Sequence, residues 1–462
     1  MIKNSKIHFE ISERKVLLRI LDIVTVFLVL YGVGVLFVFD YFIIAKNRWE
    51  WLIVLALYLS IFGTVFELYD LQKASKIDIV FKNIVLTSSL TVLLYLLTPF
   101  YTPQLPGNRL QIIYFFLAIV LALFLWRLAY ITFISSPRFY KRILLIGNAR
   151  NAKLMAEAIE KSDPNFKVIG YVNTGKEVLN EKCDLLEFHS QDLKKIIAEH
   201  SISEIIVSGN LSKRLSLKTY TQLLNLLEKG FSIKEYTQVY EDLTHRVPVH
   251  HVDKDFYRYF PFSRSNQNKL YLFFHRLMDI IIAFIGLVFG ILVLPIIWIG
   301  NLLGNRGPLF YFQERVGKNG KPFFIIKLRS MIKNAEEGVA VWASKDDNRV
   351  TRFGKFLRKT RLDEVPQFFN VLKGEMSVIG PRPERPVFVN ELAQEIPFYE
   401  IRHIVKPGLT GWAQVKSNYA STKEDALEKL QYDLYYIKKR SVFLDLNILL
   451  KTLSTILFYR GH

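Results

Sequence analysis

The sequence predicts a membrane-anchored protein in three parts: a membrane α-helical bundle of four spans, a Rossmann-like α/β domain, and a compact, charged last third behind a fifth apolar segment. Three observations predict it. Four apolar runs, each near the ~20 residues that cross a bilayer, fill the first third of the chain. From about residue 141, short apolar runs alternate with helix-like periodicity. Greasy blocks also alternate with basic ones, since 51% of the 462 residues are hydrophobic and the net charge is +19. One soluble domain rarely combines the two, whereas a membrane protein with a cytoplasmic face does. Such a charge implies an anionic partner, and the apolar segments favour lipid headgroups and phosphates over nucleic acid.

The apolar runs cover 16–45, 49–66, 77–100 and 110–134, and their length and scarcity of charge argue against buried core helices. The first is too long for the apolar core of a cleavable signal and has no small-residue cleavage site behind it. Lys3, Lys6, Arg14, Lys15 and Arg19 precede it, Lys73 and Lys76 separate the second and third runs, and Arg138, Lys141 and Arg142 follow the fourth. The remaining loops carry Lys46, Arg48 and Arg109. This bias puts both ends of the 1–140 unit in the cytoplasm.

Over 141–240 the stretches "RILLIG", "FKVIGYV" and "EIIVSG" read as strands, with "NAKLMAEAIEKS", "LKKIIAEH" and "YTQLLNLLEKG" as helices. That βαβ rhythm predicts a parallel sheet with crossover helices. A dinucleotide site would want G-x-G-x-x-G after the first strand. The turn reads Gly147-Asn148-Ala149-Arg150-Asn151-Ala152, with one glycine of the three, which favours a structural or regulatory domain. Cys183 is the only cysteine, so there is no intramolecular disulfide and no cysteine-based metal cluster. The 241–275 connector is aromatic and basic. Its His245, His250 and His251 lack the cysteine or acidic spacing of a metal site and read as solvated or capping histidines.

The fifth apolar segment, 280–303, holds Pro295, with Gly286 and Gly290 upstream. A proline removes a backbone donor and bends or breaks a helix. Crossing and re-entering both remain open on these residues, and the choice decides which face the last third occupies. After it, Phe310–Val316, a "GKNGKP" turn and 323–328 read as a hairpin ending in Lys327, Arg329 and Ser330.

The stretch "TRLDEVPQFFNVLKGEMSVIGPRPERP" then sets Asp363 and Glu364 between cations. One reading is an ordinary acidic first helical turn with Pro366, which the helix dipole favours. The other weighs Lys355, Arg358, Lys359 and Arg361 upstream and Arg382 and Arg385 downstream. Cations keep a carboxylate ionised, available as nucleophile or metal ligand. The same arginines suit bidentate recognition of a diphosphate, and a carboxylate attacking phosphorus gives an acyl-phosphate. Mg²⁺ is the natural companion of such a pair. A last amphipathic region, with Lys438, Lys439 and Arg440 beside Phe443 and Leu444, reads equally as an interfacial or a packed helix.

"KLRSM", "LRKTRLDEVPQFFNVLKGEMSVIGPRP" and "KPGLTGWAQV" resemble the bacterial sugar transferases, the monotopic polyprenyl-phosphate phosphoglycosyltransferases, over about 270–462. Four spans with a Rossmann-like insert resemble the large subgroup of that family. The resemblance implies a monotopic α/β catalytic domain with a re-entrant helix, and the division 1–140, 141–240, 241–275, 276–303 and 304–462. It implies transfer of a sugar-1-phosphate from a UDP-sugar to undecaprenyl phosphate, with release of UMP, as the first membrane step of exopolysaccharide, capsule or O-antigen assembly. Asp363 would be the covalent nucleophile and Glu364 its partner, with Mg²⁺ at both. Arg358, Arg382 and the Pro381-Arg382-Pro383 loop would hold phosphate and nucleotide, and Lys327 and Arg329 would border the site. Pro295 would turn the helix back, although Leu294 stands where many relatives carry serine. The implied setting is a multi-pass protein of the bacterial inner membrane, with its site at the cytoplasmic leaflet among inner-leaflet lipids and no nucleic acid; a homodimer is allowed.

Two other classes compete. A membrane-anchored nucleotide-sugar dehydratase or epimerase would use Tyr419 and Lys423 as a Tyr-x-x-x-Lys pair, but these lie beyond the sheet and the glycine loop is missing. A non-catalytic scaffold leaves the acidic pair and the arginine loop unexplained.

Overall fold

The computed structural model describes residues 11–36, 41–42, 48–70, 74, 77–134, 141–147, 149–162, 166–173, 185–188, 192–208, 216–249, 268–305, 307–332, 348–417 and 422–457. Asn148, Cys183, His250, His251, most of the expected connector and Tyr419 lie outside them. The chain divides into two compact units, Met1–Thr244 and His245–His462.

In the first unit, helices α1 (Ile11–Leu36), α2 (Trp49–Val65), α3 (Ile77–Leu97) and α4 (Leu110–Ala129, continued by a π-helical turn Tyr130–Ile134) surround a core that includes Leu30, Leu55, Ile84 and Phe115. Lys15–Leu36, Ile79–Leu97 and Leu110–Phe133 are long and apolar enough to cross a membrane, and α2 is a shorter apolar helix. Exposed Leu28, Ile53, Leu93 and Leu121 make the outward faces apolar too, as a lipid-facing bundle requires. Among the described residues one charged pair lies inside: Arg127 of α4 meets Asp22 of α1 at 2.8 Å. Charges in such surroundings must pair, and this pair ties the first helix to the fourth.

Five parallel strands follow: β1 (Lys141–Gly147), β2 (Phe166–Asn173), β3 (Leu186–Phe188), β4 (Glu204–Val207) and β5 (Ser232–Glu235), in the order β3-β2-β1-β4-β5. Helices α5 (Ala149–Ser162), α6 (Leu193–His200), α7 (Leu217–Glu228) and α8 (Tyr236–Thr244) accompany them. β1 is central and buried from Ile143 to Gly147, which explains its continuous apolar reading. The two edge strands escaped the sequence pattern because they are short and their residues are largely exposed or half-buried.

The second unit contains one 36-residue helix, α9 (Lys269–Gly304), in which Pro295 is an internal residue. Helical backbone continues through the proline, so the chain is not broken there. Close packing explains how α9 lies on the rest of the unit. A Cβ on Gly286 would stand 2.3 Å from the Phe368 ring, and one on Gly300 2.4 Å from the Phe353 ring, so a larger residue would have to push these rings aside. The opposite face, with Phe284, Ile291, Leu292 and Ile296, is exposed.

Strands β6 (Phe310–Val316) and β7 (Pro322–Leu328) form the expected antiparallel hairpin. Helix α10 (Arg352–Lys359), a 3-10 turn (Leu362–Glu364) and α11 (Gln367–Lys373) lead into β8 (Ser377–Ile379), which pairs in parallel with β9 (Gly408–Thr410). Between those strands lie α12 (Pro386–Glu395) and a 3-10 turn (Tyr399–Ile404), and after them α13 (Trp412–Lys416), α14 (Lys423–Lys439) and α15 (Val442–Leu457). The amphipathic tail is thus two helices with different roles. α14 is packed, burying Leu430, Leu434 and Ile437, whereas α15 exposes Val442, Phe443 and Leu446. Arg440, which the sequence left open between an interfacial and a packed setting, is buried, its guanidinium over the Tyr271 and Tyr436 rings. Burial of its aliphatic stem and two cation–π contacts hold it inside.

Candidate active site

The site is built where α10 ends. Arg361 takes a left-handed conformation (φ 58°), which stops α10 and turns the chain into the 3-10 turn carrying Asp363 and Glu364. The acidic pair is therefore not the first turn of a long helix; α11 begins only after Pro366. α11 is fixed at two points. Near its middle, buried Asn370 donates to the Phe324 carbonyl at 2.8 Å and accepts from the Ile326 N–H at 3.1 Å, pairing with β7 as a neighbouring strand would. At its C-terminus, Arg276 of α9 donates to the Val371 and Leu372 carbonyls at 2.7 and 2.8 Å. The acidic turn and Lys327 of β7 are thereby held in one rigid frame.

The two carboxylates meet different surroundings. Asp363 is buried, and its Oδ1 has no hydrogen-bond partner. Burial pushes its carboxyl above the usual aspartate range and the charge of Glu364 adds to this, while Lys327, Arg358 and Arg361 pull the other way. Glu364 is caged by cations: Oε1 lies 3.0 Å from Arg382 and 3.8 Å from Lys327, and Oε2 lies 3.6 Å from Arg361. Burial opposes its charge, but Arg382, Lys327 and Arg361 together outweigh burial and hold it below the ordinary glutamate range. Lys327 is pushed down to about 8, first by burial, with Glu364 opposing.

The Pro381-Arg382-Pro383 loop is pinned through its carbonyls. Gly408 N–H donates to Pro381 O at 2.9 Å, Arg402 Nη2 to Arg382 O at 3.1 Å, and Arg315 Nη1 to Pro383 O at 3.2 Å. Arg402 is itself buried, 2.9 Å from Asp433 Oδ2 and 2.6 Å from the Tyr399 hydroxyl. With its backbone fixed, the loop can aim the half-exposed Arg382 guanidinium at Glu364. Arg358 donates from Nε to Ser330 Oγ at 2.9 Å, which orients it beside Asp363.

Of the residues singled out from the sequence, Asp363, Glu364, Lys327, Arg358 and Arg382 converge, and Pro381 and Pro383 frame them. Arg329 is not among them: its side chain runs beside Gly307 and its carbonyl accepts from Asn305 at 2.7 Å. Pro295 lies in α9, whose neighbouring Val293, Leu294 and Ile297 line an apolar cavity together with Leu362. Sequence reasoning missed Asn370, Arg315, Arg402 and Asp433, whose partners are distant in the chain. Their one local signal is a polar residue on an otherwise apolar face, as Asp433 is on α14. Among the described residues no group of three or more His, Cys, Asp or Glu could hold a metal ion. Asp363 and Glu364 form a pair only. The free Asp363 Oδ1 could serve an ion completed by substrate phosphates, since Mg²⁺ commonly takes one or two carboxylates, whereas Glu364 already meets three side-chain cations.

Comparison with known proteins agrees with this frame. Residues 270–459 match the family model described as bacterial sugar transferase. A protein of Aeromonas hydrophila named UDP-N-acetylgalactosamine-undecaprenyl-phosphate N-acetylgalactosaminephosphotransferase is 46% identical over 221 residues, 48% of this chain and 51% of that protein. A Klebsiella pneumoniae protein named UDP-glucose:undecaprenyl-phosphate glucose-1-phosphate transferase is 42% identical over 196 residues, 42% of each chain. A Caulobacter vibrioides protein of the same name is 36% identical over 187 residues, covering 39% of this chain and 69% of its own. The chain thus spans about half the length of the first of these relatives and more than two thirds of the last. On the family match and on that identity and coverage, the chain belongs to the bacterial sugar transferase family.

Proposed function

We propose that the protein transfers a sugar-1-phosphate from a UDP-sugar to undecaprenyl phosphate, through a phosphosugar held on Asp363, as the first membrane step of a polysaccharide repeat. The observation that carries this reading is the unequal pair: a buried Asp363 with a free oxygen beside a Glu364 locked in a cage of cations. Asp363 attacks the β-phosphorus of the UDP-sugar, an Oδ–P bond forms, the P–O bond to the α-phosphate breaks, and UMP leaves with the electron pair. An oxygen of the lipid phosphate then attacks the same phosphorus. The Asp363 carboxylate is released, and the product is the lipid diphosphate sugar. Arg358, Lys327 and Arg382 balance the diphosphate charge as it develops. Asp363 and Glu364 would hold Mg²⁺, which when bound neutralises phosphate charge.

This chemistry sets the topology. UDP-sugars are cytoplasmic, so the site faces the cytoplasm at the inner membrane of a bacterium, and α9 re-enters rather than crosses. In support, both ends of α9 contact the same compact unit, through Arg276 at one end and Gly300 and Gly304 against Phe353 at the other. The test is UMP release by the full chain with undecaprenyl phosphate and Mg²⁺, across UDP-N-acetylgalactosamine, UDP-glucose and UDP-galactose. Release with one of them, and none from Asp363→Asn, is expected. An inert wild type with every donor, or a fully active Asp363→Asn, sinks the reading.

A further inference from the structure

Along α9, Tyr271, His275 and Asp279 recur every four residues and are buried on one face. They form a polar column just ahead of the apolar run, and its two ends hold different elements. At one end Tyr271 donates to Asp445 Oδ2 of α15 at 2.7 Å, and Tyr436 donates to Asp445 Oδ1 at 3.1 Å. His275 stands between two carboxylates, 3.8 Å from Asp279 and 3.9 Å from Asp445. At the other end Asp279 reaches out of its own helix. Its Oδ1 accepts from Ser377 Oγ at 2.9 Å and from the Val378 N–H at 2.8 Å.

Both donors belong to β8, and the chain continues from β8 through Gly380 into the Pro381-Arg382-Pro383 loop. β8 pairs with β9 through Ser377 to Gly408 and Ile379 to Thr410. Val378 lies between these two, so its N–H points to the strand's other edge, where the two-stranded sheet ends. The Asp279 carboxylate takes the N–H that a third strand would otherwise accept. Past β8 the chain has little room of its own, since a Cβ on Gly380 would stand 2.3 Å from the Lys406 carbonyl. A displacement of β8 is therefore passed to the loop that carries Arg382.

We propose, on the transfer reading above, that Asp279 is a positioning residue for the donor half of the reaction. It ties β8, and through β8 the Pro381–Pro383 loop, to α9, so that the grip on the nucleotide is set from the apolar helix. Apolar side chains could hold α9 against β8 equally well, but a hydrogen bond fixes direction as well as distance. Both bonds of Asp279 fall within three residues of the loop. Tyr271 of the same column bonds to α15 instead, which makes it the internal comparison.

Asp279→Ala, Asp279→Asn and Tyr271→Phe are compared with wild type as full chains in lipid nanodiscs. KM is measured for undecaprenyl phosphate and for the best donor among UDP-N-acetylgalactosamine, UDP-glucose and UDP-galactose. Asp279→Ala should raise the donor KM about tenfold, the effect of losing two bonds to a buried charge that orients a binding loop, with the acceptor KM within about twofold of wild type. Asp279→Asn keeps a carbonyl oxygen at the same place and should recover most of that loss. Tyr271→Phe should lower the melting temperature and leave both KM values as they are. An unchanged donor KM in Asp279→Ala, equal rises in its two KM values, or an equal donor KM rise in Tyr271→Phe each overturns the proposal. Should Asp279→Ala fail to fold, Ser377→Ala decides: it removes one of the two donors and should raise the donor KM alone, by about threefold, and no rise overturns the proposal. Amide hydrogen exchange separates this role from the transfer reading. The Val378 and Gly380 amides should exchange faster in Asp279→Ala than in wild type or Tyr271→Phe. A wild type that releases no UMP from any donor overturns the transfer reading, while equal exchange at those amides in all three proteins overturns the positioning role.

Discussion

At the scale of single residues, the adjacent carboxylates differ in what they touch. Glu364 has three cationic neighbours within 4 Å, whereas Asp363 has a buried oxygen without a partner. A group already neutralised by three cations is a poor nucleophile, and an unpartnered buried carboxylate has unused capacity to form a bond. Asp363→Asn should therefore lower turnover by at least about a thousandfold and abolish the phosphosugar adduct, as loss of a covalent nucleophile does. Glu364→Gln should keep a detectable adduct and lose roughly a hundredfold in rate, the scale of losing one oriented charge. Mass spectrometry of the intact protein after mixing with UDP-sugar separates the two; an adduct on Asp363→Asn would reverse the roles. Histidine supplies a further test. His403 is held down to about 4, first by burial and then by the neighbouring Arg402 charge. Its depressed value means that folding excludes a proton which the unfolded chain accepts. Stability from this group is present above about pH 6.5 and is lost as pH falls toward about 4. The melting temperature of wild type should drop across that window, and His403→Gln should flatten the drop.

At the scale of elements, the site depends on cross-links between segments that have little regular pairing of their own. β8 and β9 have three residues each, too few to define the Pro381–Pro383 loop unaided. Arg402 supplies what the ladder cannot, joining the Arg382 carbonyl, Tyr399 and Asp433. Asp433→Asn leaves that guanidinium buried without its counter-charge, at a cost of about 3 kcal/mol in stability. Because Arg402 also holds the loop, the nucleotide KM should rise more than the acceptor KM. A variant destabilised to this degree with both constants unchanged would show that Arg402 does not position Arg382. Asn370 acts likewise on the free edge of β7. Asn370→Ala strands the Ile326 N–H and the Phe324 carbonyl and should cost about 1–3 kcal/mol, measured by thermal unfolding in detergent.

At the scale of the whole chain, what the sequence disclosed follows contact distance. The apolar runs and the buried β1 strand were legible because burial leaves a local pattern, and so was the acidic pair among its arginines. Arg402 and Asp433 meet across 31 positions, and Asn370 reaches β7 across 46 and 44, so no window contains both partners. Arg440 stayed open between interface and core because its burial comes from Tyr271, far upstream. The same distance effect governs α9, whose composition allows a crossing and whose two ends meet residues far away in the chain. Its 36 residues make ~54 Å of helix, well beyond the ~30 Å hydrocarbon core. At its start, Tyr271 donates to Asp445 at 2.7 Å and Arg276 caps α11; at its end, Asn301 donates to the Gly307 carbonyl at 2.8 Å and Gly304 meets Phe353. A crossing would draw the charged unit that binds both ends into lipid, where each unsatisfied polar group costs several kcal/mol. Cysteines introduced as Lys269→Cys and Pro308→Cys, in a Cys183→Ser background, should therefore both react with an impermeant maleimide in inside-out vesicles and both be protected in sealed right-side-out ones. Labelling of one from each side would require α9 to cross, and would overturn the cytoplasmic placement proposed for Asp363.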